Sequence, residues 1–360
     1  MTDLKEVFKN MEFENTDSMK YNDRILFVDG LNNFIRNWCA IPSMNDEGDH
    51  IGGVTGFLKS IGMLIRNLKP TRVVIVFDGA GGSQRRRALF PQYKSQRKPI
   101  THVNRTYNLE TPEQEHDNMT RQLVALMTAL SYLPVTIIAI DNIEADDVIA
   151  YASEWTVKQG GKAIILSTDK DFYQMVNENI HLWHPIKKKN YTIETVLEDY
   201  KILPDNFVLY RALTGDKSDN VPGVNGIGEI KPSGKSASKL LKYYPEFSTQ
   251  AIDLNFIYKR AEERQQQKKT QSKVYEAILN NKALIERNLQ LMTLRDVNIS
   301  ASAKLTVVNS LQNHAPHLEK MALTKLLVSG KFIAGIPNYD AWLTTTFMPL
   351  LRFYGNKHGV

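Results

Sequence analysis

Thiols and long apolar runs are almost absent from this chain. Its single cysteine, Cys39, excludes an internal disulfide and fits a reducing compartment, so we expect a cytoplasmic protein. No apolar stretch approaches the ~20 residues that span a bilayer, so no membrane association is expected. The chain does not open on a basic segment followed by an apolar run, so no signal peptide is expected.

Histidines with metal-ligand spacing are also missing. None of the eight histidines falls in an HxxxH or similar pattern, and His184 is predicted to be structural. The remaining composition, with 42% hydrophobic and 23% charged residues, is typical of a globular protein. At 360 residues the chain is long enough for two packed units, and no internal repeat divides it.

Acidic residues, by contrast, gather where apolar, strand-like runs end. The segments ILFVD, RVVIVFD, IEADDVIA, STDKDF and GDKSDN carry nine of them: Asp29, Asp78, Glu144, Asp146, Asp147, Asp169, Asp171, Asp216 and Asp219. Carboxylates this dense repel one another unless cations lie between them. All-oxygen sites with few His or Cys ligands are typical of Mg²⁺ in phosphodiester chemistry, so the pattern predicts a divalent-metal site.

A basic segment complements the acidic clusters. Between Gln84 and Asn108 there are seven Lys or Arg residues and no acid, in a chain of formal net charge +6. Alone, such a run is typical of a solvated surface. Beside a metal site, it favours a polyanionic ligand.

The apolar pattern predicts an α/β unit followed by a helical one. Candidate strands are Ile25–Val28, Val73–Phe77, Val135–Ile140 and Ala163–Leu166, and candidate helices are Gly53–Leu68, Pro112–Leu130 and Ala145–Lys158. Their alternation predicts a parallel sheet with helices on both faces, which binds ligands beyond the carboxyl ends of its strands. Asp29, Asp78, Asp169 and Asp171 lie at those ends. From about Ile202 the chain is mostly helical, and its last sixty residues are expected to pack back on the body.

Six motifs in chain order resemble the 5′-nuclease (flap endonuclease) superfamily. They are LFVDG, VFDG, RRALFPQYKSQRKP, IEADDVIA, STDKDFYQ and GDKSDNVPGVNGIG, over roughly residues 25–241 with a looser similarity to about residue 300. The superfamily includes the 5′–3′ exonuclease domain of bacterial DNA polymerase I and stand-alone phage enzymes. The stretch NIHLWHPIKKK is also similar to the ribonuclease H of T-even-type phages. For a phage-encoded chain the expected compartment is the host cytoplasm.

The resemblance implies a fold and a division of the chain. A PIN-like parallel sheet flanked by helices is expected over residues 21–200 as a metal-dependent nuclease domain, with a helical arch at about 79–115. A helix–hairpin–helix-like duplex-binding domain is expected over 201–300, and a C-terminal helical segment over 301–360. Residues 1–20 are expected to form a loosely attached tail, and 259–273 an exposed or a mobile helix.

The resemblance also implies two Mg²⁺ ions, for which Mn²⁺ can substitute. The residues of the tighter site are Asp29, Asp78, Glu144 and Asp146, and those around the second, directly or through water, are Asp147, Asp169, Asp171 and Asp219. Asp216 matches a further acidic position of the family motif, or is a helix cap or surface charge.

The basic segment matches the arch of the family through its R…YKxxR pattern. The resemblance implies that Lys94, together with Arg86 and Arg97, acts on the scissile phosphate as a catalytic cation. Tyr93 and Phe90 either stack on bases of the threaded strand or pack within the arch.

The GVNGIG turn is expected to grip the duplex backbone. Its glycines, Gly223, Gly226 and Gly228, allow close approach of phosphates, and the resemblance implies a K⁺ ion bound at residues 223–228. The DNA-binding lysines are Lys235, Lys239 and Lys242. Five extra residues at 230–234 are either a surface loop or an added DNA contact. Arg36 matches a DNA-binding arginine, whereas Phe34 is displaced by one position from the family's aromatic residue.

The expected function is that of a Mg²⁺-dependent, structure-specific 5′ nuclease. It would act as a 5′–3′ exonuclease on duplex DNA or RNA–DNA hybrids and as an endonuclease on 5′ flaps, removing RNA primers and displaced strands in replication. A single-strand binding protein or a polymerase is the expected partner, and the expected state is a monomer. Two alternatives are a catalytically silent DNA-binding module and a single-strand ribonuclease. The complete carboxylate set argues against the first, and the arch and helical module argue against the second.

Overall fold

A six-stranded sheet forms the centre of the structure, a computed structural model that describes residues 19–97, 111–229, 239–267 and 272–355. The strands are β1 (Arg24–Asp29), β2 (Arg72–Asp78), β3 (Thr136–Ile140), β4 (Lys162–Leu166), β5 (Ile180–His184) and β6 (Lys189–Tyr191), in the order β3-β2-β1-β4-β5-β6. The first five are parallel, and β6 runs antiparallel to β5. The predicted parallel sheet flanked by helices is confirmed.

Fourteen helices accompany the sheet in the described ranges. They are α1 (Gly30–Ala40), α2 (Gly52–Leu68), α3 (Gln84–Leu89), α4 (Pro112–Ser131), α5 (Ala145–Lys158), α6 (Ile193–Tyr200), α7 (Pro204–Thr214), α8 (Lys239–Tyr243), α9 (Leu254–Gln266), α10 (Lys273–Asn280), α11 (Lys282–Met292), α12 (Ala301–Asn313), α13 (Lys320–Ser329) and α14 (Tyr339–Gly355). A small hairpin, β7 (Gly215–Asp216) and β8 (Val221–Pro222), follows α7. Short 3₁₀ turns lie at Lys170–Met175, Pro245–Ser248 and Ile333–Gly335.

Successive residues of β1 pack alternately in two separate apolar cores. Ile25 and Phe27 face a core shared with α5 and the helices that follow the sheet. Leu26 and Val28 face the other core, which α1, α2 and α4 cover. This alternation is the two-residue period of a strand, and burial on both faces is what a parallel sheet requires. Helix α14 belongs to the second core and packs against α2, as expected for the C-terminal helices.

Parallel pairing brings the predicted acidic residues to one edge. Asp29 pairs with Val76 at the end of β1, and Asp78 pairs with Ile140 at the end of β2. The carboxyl end of β4 leads directly to Asp169. This edge therefore collects side chains that lie far apart in the sequence.

Several predictions fall outside the described residues. These are residues 1–18 of the tail, 98–110 of the arch, the extra residues 230–234 with Lys235, and 268–271 of the segment 259–273. The part of that segment up to Gln266 lies in α9. None of the helices in the described ranges is long and apolar enough to cross a bilayer.

Candidate active site

A cavity of about 370 Å³ opens at the carboxyl edge of the sheet. Its lining includes five of the nine predicted carboxylates, namely Asp29, Asp78, Glu144, Asp146 and Asp169. Three predicted cations, Arg36, Lys94 and Arg97, line the same cavity. The sequence prediction of an acidic site beside basic side chains thus corresponds to one place in the fold.

Asp29 and Asp169 lie at the same edge of the sheet. Asp29 caps α1 by accepting from the backbone N–H of Asn32 at 3.2 Å, and Asp169 accepts from the backbone N–H of Asp171 at 2.8 Å. Burial raises the pKa of Asp29 to about 6, and burial together with the neighbouring Asp171 raises the pKa of Asp169 to about 7. Both carboxyl groups therefore resist ionisation unless a cation is added.

Ser167 links these two acids, and sequence reasoning missed it. Its hydroxyl donates to Asp29 Oδ2 at 3.0 Å and accepts from the backbone N–H of Asp169 at 3.1 Å. The only signal for it was its place two residues before Asp169 in the STDKDF motif. A fixed hydroxyl at this position sets the spacing between β1 and the turn after β4.

Glu144 lies between two cations of the protein. It forms ion pairs with Arg86 and Lys94 and accepts a hydrogen bond from the Ser83 hydroxyl at 2.9 Å. Burial alone would raise the pKa of Glu144, but Arg86 and Lys94 outweigh it and lower the pKa to about 2. Glu144 is thus ionised throughout the physiological pH range.

Arg86 lies beneath the cavity rather than in it. Its guanidinium, 2% exposed, forms ion pairs with Glu144, Asp146 and Asp147 and donates to the carbonyl of Leu291 at 2.9 Å. The predicted catalytic contact of Arg86 with a phosphate is not available in this arrangement, because the side chain is buried and fully engaged. Arg86 instead connects its own helix, α3, to the start of α5. Asp147, 1% exposed, faces Arg86 in the same layer.

Phe90 and Tyr93 of the arch segment pack inside the protein and are not free to stack on bases. Phe90 is 9% exposed and Tyr93 is 5% exposed, and both join an apolar cluster with Val221 and Leu291. Tyr93 also donates to Asp219 at 3.1 Å. Of the two alternatives for these residues, the structure shows the packing one, so the predicted DNA-binding role of Tyr93 is not what this geometry favours. Phe34 is likewise fully buried.

Lys94 and Arg97 reach the cavity from the arch segment. Lys94 has a left-handed backbone with φ 58°, and its N–H donates to the carbonyl of Asp219 at 2.9 Å. Left-handed backbone is rare for a residue with a side chain and is concentrated at functional sites. The Arg97 guanidinium is 2.6 Å from Asp219 Oδ1. Asp219 therefore anchors both cations at the rim.

Asp171 and Asp216 meet a buried arginine that sequence reasoning missed. Arg211 on α7, 1% exposed, donates to Asp171 at 2.8 Å, forms an ion pair with Asp216 and lies 2.9 Å from Glu229. Burial would raise the pKa of Asp216, but Arg211 and Ser218 outweigh it and lower that pKa. The signal was an arginine within an apolar helix, four residues before Gly215. Both acids face Arg211 rather than the cavity lining.

We expect replacement of Arg211 by Met to destabilise the protein by about 3–5 kcal/mol, because it leaves buried carboxylates without their counter-charge. Urea unfolding followed by fluorescence measures the change. The control is Lys282→Met, which breaks the exposed Lys282–Glu262 pair and should cost less than about 1 kcal/mol. Equal destabilisation by the two variants would show that the buried ion pairs of Arg211 stabilise the protein no more than an exposed pair does.

In this structure the carboxylates are not spaced as metal ligands. Among the residues that the structure describes, no three His, Cys, Asp or Glu side chains lie close enough together to hold a metal ion. Two of the carboxylates are paired with cations of the protein, since Arg86 forms ion pairs with Glu144 and Asp146 and Lys94 forms one with Glu144. The donor set itself is entirely carboxylate oxygen, and burial raises the pKa of both Asp29 and Asp169. These residues fit a hard divalent cation.

Two family models together match residues 24–314. The model of the 5′-3′ exonuclease N-terminal resolvase-like domain matches residues 24–201, and that of the 5′-3′ exonuclease C-terminal SAM fold matches residues 202–314. The chain belongs to the 5′-3′ exonuclease family. The predicted resemblance to the 5′-nuclease superfamily is therefore confirmed.

Individual relatives agree with this assignment. The flap endonuclease Xni of Shewanella woodyi is 38% identical over 223 residues, which are 62% of this chain and 79% of the relative. The thermostable DNA polymerase I of Thermus aquaticus is 36% identical over 224 residues, which are 61% of this chain. The chain spans about a quarter (24%) of that polymerase's length.

A flap endonuclease of bacteriophage T5, solved in a complex with DNA and metal ions, has a similar fold. The TM-score is 0.55 at 17% sequence identity, and the match covers 87% of this chain and 99% of the phage protein. At this identity the likeness concerns the fold. The family models end at residue 314, so α13 and α14 lie beyond them.

The glycine turn of this family member combines packing with open backbone. A Cβ atom on Gly223 would lie 2.2 Å from the carbonyl oxygen of Thr214, so that position excludes any larger residue. Gly226 has φ 84° and free space around it. Gly228 also has free space around it. Lys239 opens α8, and Lys242 is exposed on it. The predicted phosphate and K⁺ contacts of this turn stay predictions.

Arg36 faces the cavity without a carboxylate partner among the hydrogen bonds described. It donates to the side chains of Asn33 at 2.6 Å and Ser60 at 3.2 Å, while its Nε has no hydrogen-bond partner. Burial lowers the pKa of Arg36 to about 10, so the group stays charged at neutral pH. A charged guanidinium with spare donors in a cavity wall suits an anionic ligand.

Proposed function

We propose that the protein is a divalent-metal-dependent 5′ nuclease that cuts DNA as a 5′–3′ exonuclease and as a 5′-flap endonuclease. The observation that carries the proposal is the cavity itself, where five carboxylates meet Lys94, Arg97 and Arg36. Carboxylates recruit hard cations, and the three basic side chains offer charge to a phosphodiester. The family membership of the chain supports the same activity.

Mg²⁺ is the proposed cofactor, with two ions and with Mn²⁺ as a substitute. Asp29, Asp78, Glu144 and Asp146 would hold the first ion, and Asp169 would contribute most directly to the second. Asp147, Asp171 and Asp219 would act from behind bound water, because none of the three is among the residues that line the cavity. When bound, the two ions activate a water molecule and neutralise the leaving oxygen.

The chain's own residues would orient the cleaved strand. Lys94, which is paired with Glu144 in this structure, would donate to a non-bridging oxygen of the scissile phosphate. Arg97 and Arg36 hold neighbouring phosphates at the two sides of the cavity. The Ser167 hydroxyl orients Asp29 by donating to it, and this hydrogen bond lowers the pKa of Asp29 against the larger effect of burial.

The proposed substrates are DNA with 5′ ends or flaps and RNA–DNA hybrids, and the proposed task is the removal of RNA primers and displaced strands. The relative within a DNA polymerase I supports a replicative setting. A single-strand binding protein or a polymerase is the proposed partner, and we propose a cytoplasmic monomer. A K⁺ ion bound by carbonyls at residues 223–228 would fix one duplex phosphate.

Cleavage-site mapping tests this function. Three end-labelled substrates, a 5′-flap DNA, a nicked duplex and an RNA–DNA hybrid, are incubated with Mg²⁺ and with EDTA. Metal-dependent cuts near the 5′ junction are expected, and the ranking of the substrates separates a flap enzyme from a primer-removing one. Tight binding in both conditions without any cut would overturn the proposal and leave a DNA-binding module.

The raised pKa values of Asp29 and Asp169 predict an unusual pH dependence of stability. Their folded-state pKa values, about 6 and about 7, lie above the ordinary aspartate value of 3.8. Folding therefore favours the protonated forms, and stability is lost as pH rises from about 4 to about 7, by roughly 1.4 kcal/mol per pKa unit. In EDTA, the melting temperature should fall over this range, and Mg²⁺ should restore more stability at the alkaline end.

Differential scanning calorimetry across this pH range, with and without Mg²⁺, measures both effects. The Asp169→Asn variant should lose part of the slope in EDTA, because its amide does not titrate. A stabilisation by Mg²⁺ that is the same at all pH values would show that these two acids do not bind the ion.

A further inference from the structure

One wall of the cavity is apolar. Leu31 and Ile35 on α1, together with Ile186, line the same space as the carboxylates. Ile186 stands out because it is 67% exposed, whereas most large apolar side chains of the sheet are buried. An acidic wall suits metal ions and a phosphate, but an aliphatic wall suits neither. The cavity is therefore built for a ligand with both a charged and an apolar part.

Topology explains why Ile186 reaches this wall. Strand β5 runs parallel to β4, with Trp183 opposite Leu166, so the turn after β5 emerges at the carboxyl edge. Strand β6 returns antiparallel, with His184 opposite Lys189. The four residues between these strands, 185–188, form the β5–β6 turn. Ile186 thus lies at the edge where Asp169 follows β4.

The β5–β6 turn is held by a lysine that points back into the protein. Lys187 Nζ donates to the hydroxyls of Tyr191 at 2.8 Å and Tyr200 at 3.1 Å. The Lys187 N–H also donates to His184 Nδ1 at 3.3 Å. These contacts fix Lys187 inward, which leaves Ile186 on the outer side of the turn. The turn is therefore a fixed part of the cavity wall.

We propose that Ile186 contacts the nucleobase next to the cut phosphate and thereby positions the cleaved strand, an inference that rests on the proposed nuclease function. In a bound nucleotide the phosphate lies against the carboxylates and cations, and the sugar and base extend to the neighbouring wall. Aliphatic side chains such as Ile and Leu can pack against bases as apolar wedges, and a contact of this kind needs no hydrogen bond to a particular base. A base held there is unstacked from the duplex, which selects the phosphate that is cut.

Two readouts test the role of Ile186 on the full-length protein. A flap DNA carries 2-aminopurine, which fluoresces when unstacked, at the nucleotide next to the cut, and stopped-flow mixing with Mg²⁺ follows it before cleavage. The wild type should show a fluorescence rise and one main cut. Ile186→Ala should lose most of the rise, cut about tenfold more slowly in single turnover and spread its cuts over neighbouring phosphates.

Two further variants make the result specific. Ile186→Phe keeps an apolar surface and should retain the fluorescence rise. Leu305→Ala on α12 removes a side chain of similar exposure, 63%, that is not among the residues lining the cavity, and it should behave as wild type. If Ile186→Ala matched Leu305→Ala in both readouts while the wild type cut normally, the inference would be overturned and Ile186 would face solvent or a protein. Absence of cutting by the wild type would instead overturn the proposed function, and this inference with it.

Discussion

Replacing Asp169 by Asn is expected to lower the cleavage rate by about three orders of magnitude while leaving DNA binding nearly unchanged. The substitution keeps the shape of the side chain and an oxygen that can accept from the backbone N–H of Asp171, now 2.8 Å from the carboxylate. It removes one negative charge from the proposed second metal site. A loss of about 4 kcal/mol of transition-state stabilisation corresponds to this rate change.

Single-turnover cleavage of the labelled 5′ flap measures the effect, and fluorescence anisotropy measures binding. The matched control is Asp340→Asn on α14, whose side chain is 75% exposed and distant in sequence from every motif. It should cut within about twofold of the wild type, since an exposed ion pair such as Asp340–Lys320 has a small effect.

Stability separates this prediction from a simple folding defect. At pH 8 in EDTA, Asp169→Asn should be at least as stable as the wild type, because burial and Asp171 disfavour the ionised acid. A variant that lost both activity and melting temperature would assign Asp169 a structural role. One that cut at the wild-type rate would remove it from the site.

Most of the fold could be predicted because its signals are local. The first four strands are apolar on both faces, and each was predicted to within about two residues. Helix α5 begins and ends where its pattern predicted, Ala145 and Lys158. Strands β5 and β6 were missed because His181, His184 and Lys189 interrupt their apolar pattern. Their pairing is decided by the neighbouring strand, which a local pattern does not contain.

The carboxylates of the site could be predicted for a different reason. Asp29, Asp78 and Asp169 lie where apolar runs end, and the rule that parallel strands end at one edge converts these separate positions into a cluster. Five of the carboxylates line the cavity. Their charge partners could not be assigned in this way, because Arg86 reaches Asp146 across 60 residues and Arg211 reaches Asp171 across 40. No spacing rule of a helix or strand connects such pairs.

In the arch segment, the residues that the motif assigns to the substrate differ from those that the packed protein leaves accessible. The R…YKxxR pattern assigned Arg86, Lys94 and Arg97 to the scissile phosphate and left Tyr93 between stacking on bases and packing in the arch. The structure divides them, since Arg86 and Tyr93 are 2% and 5% exposed while Lys94 and Arg97 line the cavity. Burial is a property of the packed protein, and here the apolar cluster around Phe90 and Leu291 determines which side chains stay accessible.

Lys94 is the second residue for which we expect a large effect. Lys94→Met should lower kcat by about 10²–10³-fold with a smaller change in KM, because the lost contact is strongest when charge develops on the phosphate. Lys94→Arg should recover part of the rate. Steady-state kinetics on the 5′ flap measures the split between kcat and KM. Lys325→Met, an exposed lysine on α13, serves as the control and should change neither constant by more than about twofold.

The pH profile distinguishes Lys94 as a phosphate ligand from Lys94 as a partner of Glu144. Burial raises the pKa of Glu144, and Arg86 and Lys94 together lower it to about 2 in the described arrangement. Removing Lys94 alone should therefore shift the pKa of Glu144 upward and move the acidic limb of the rate profile to higher pH. If Lys94→Met only moved this limb and kept the plateau rate, Lys94 would serve to neutralise Glu144. A lower plateau at every pH, with Arg86 still in place, identifies Lys94 as the group that stabilises the phosphate in the transition state.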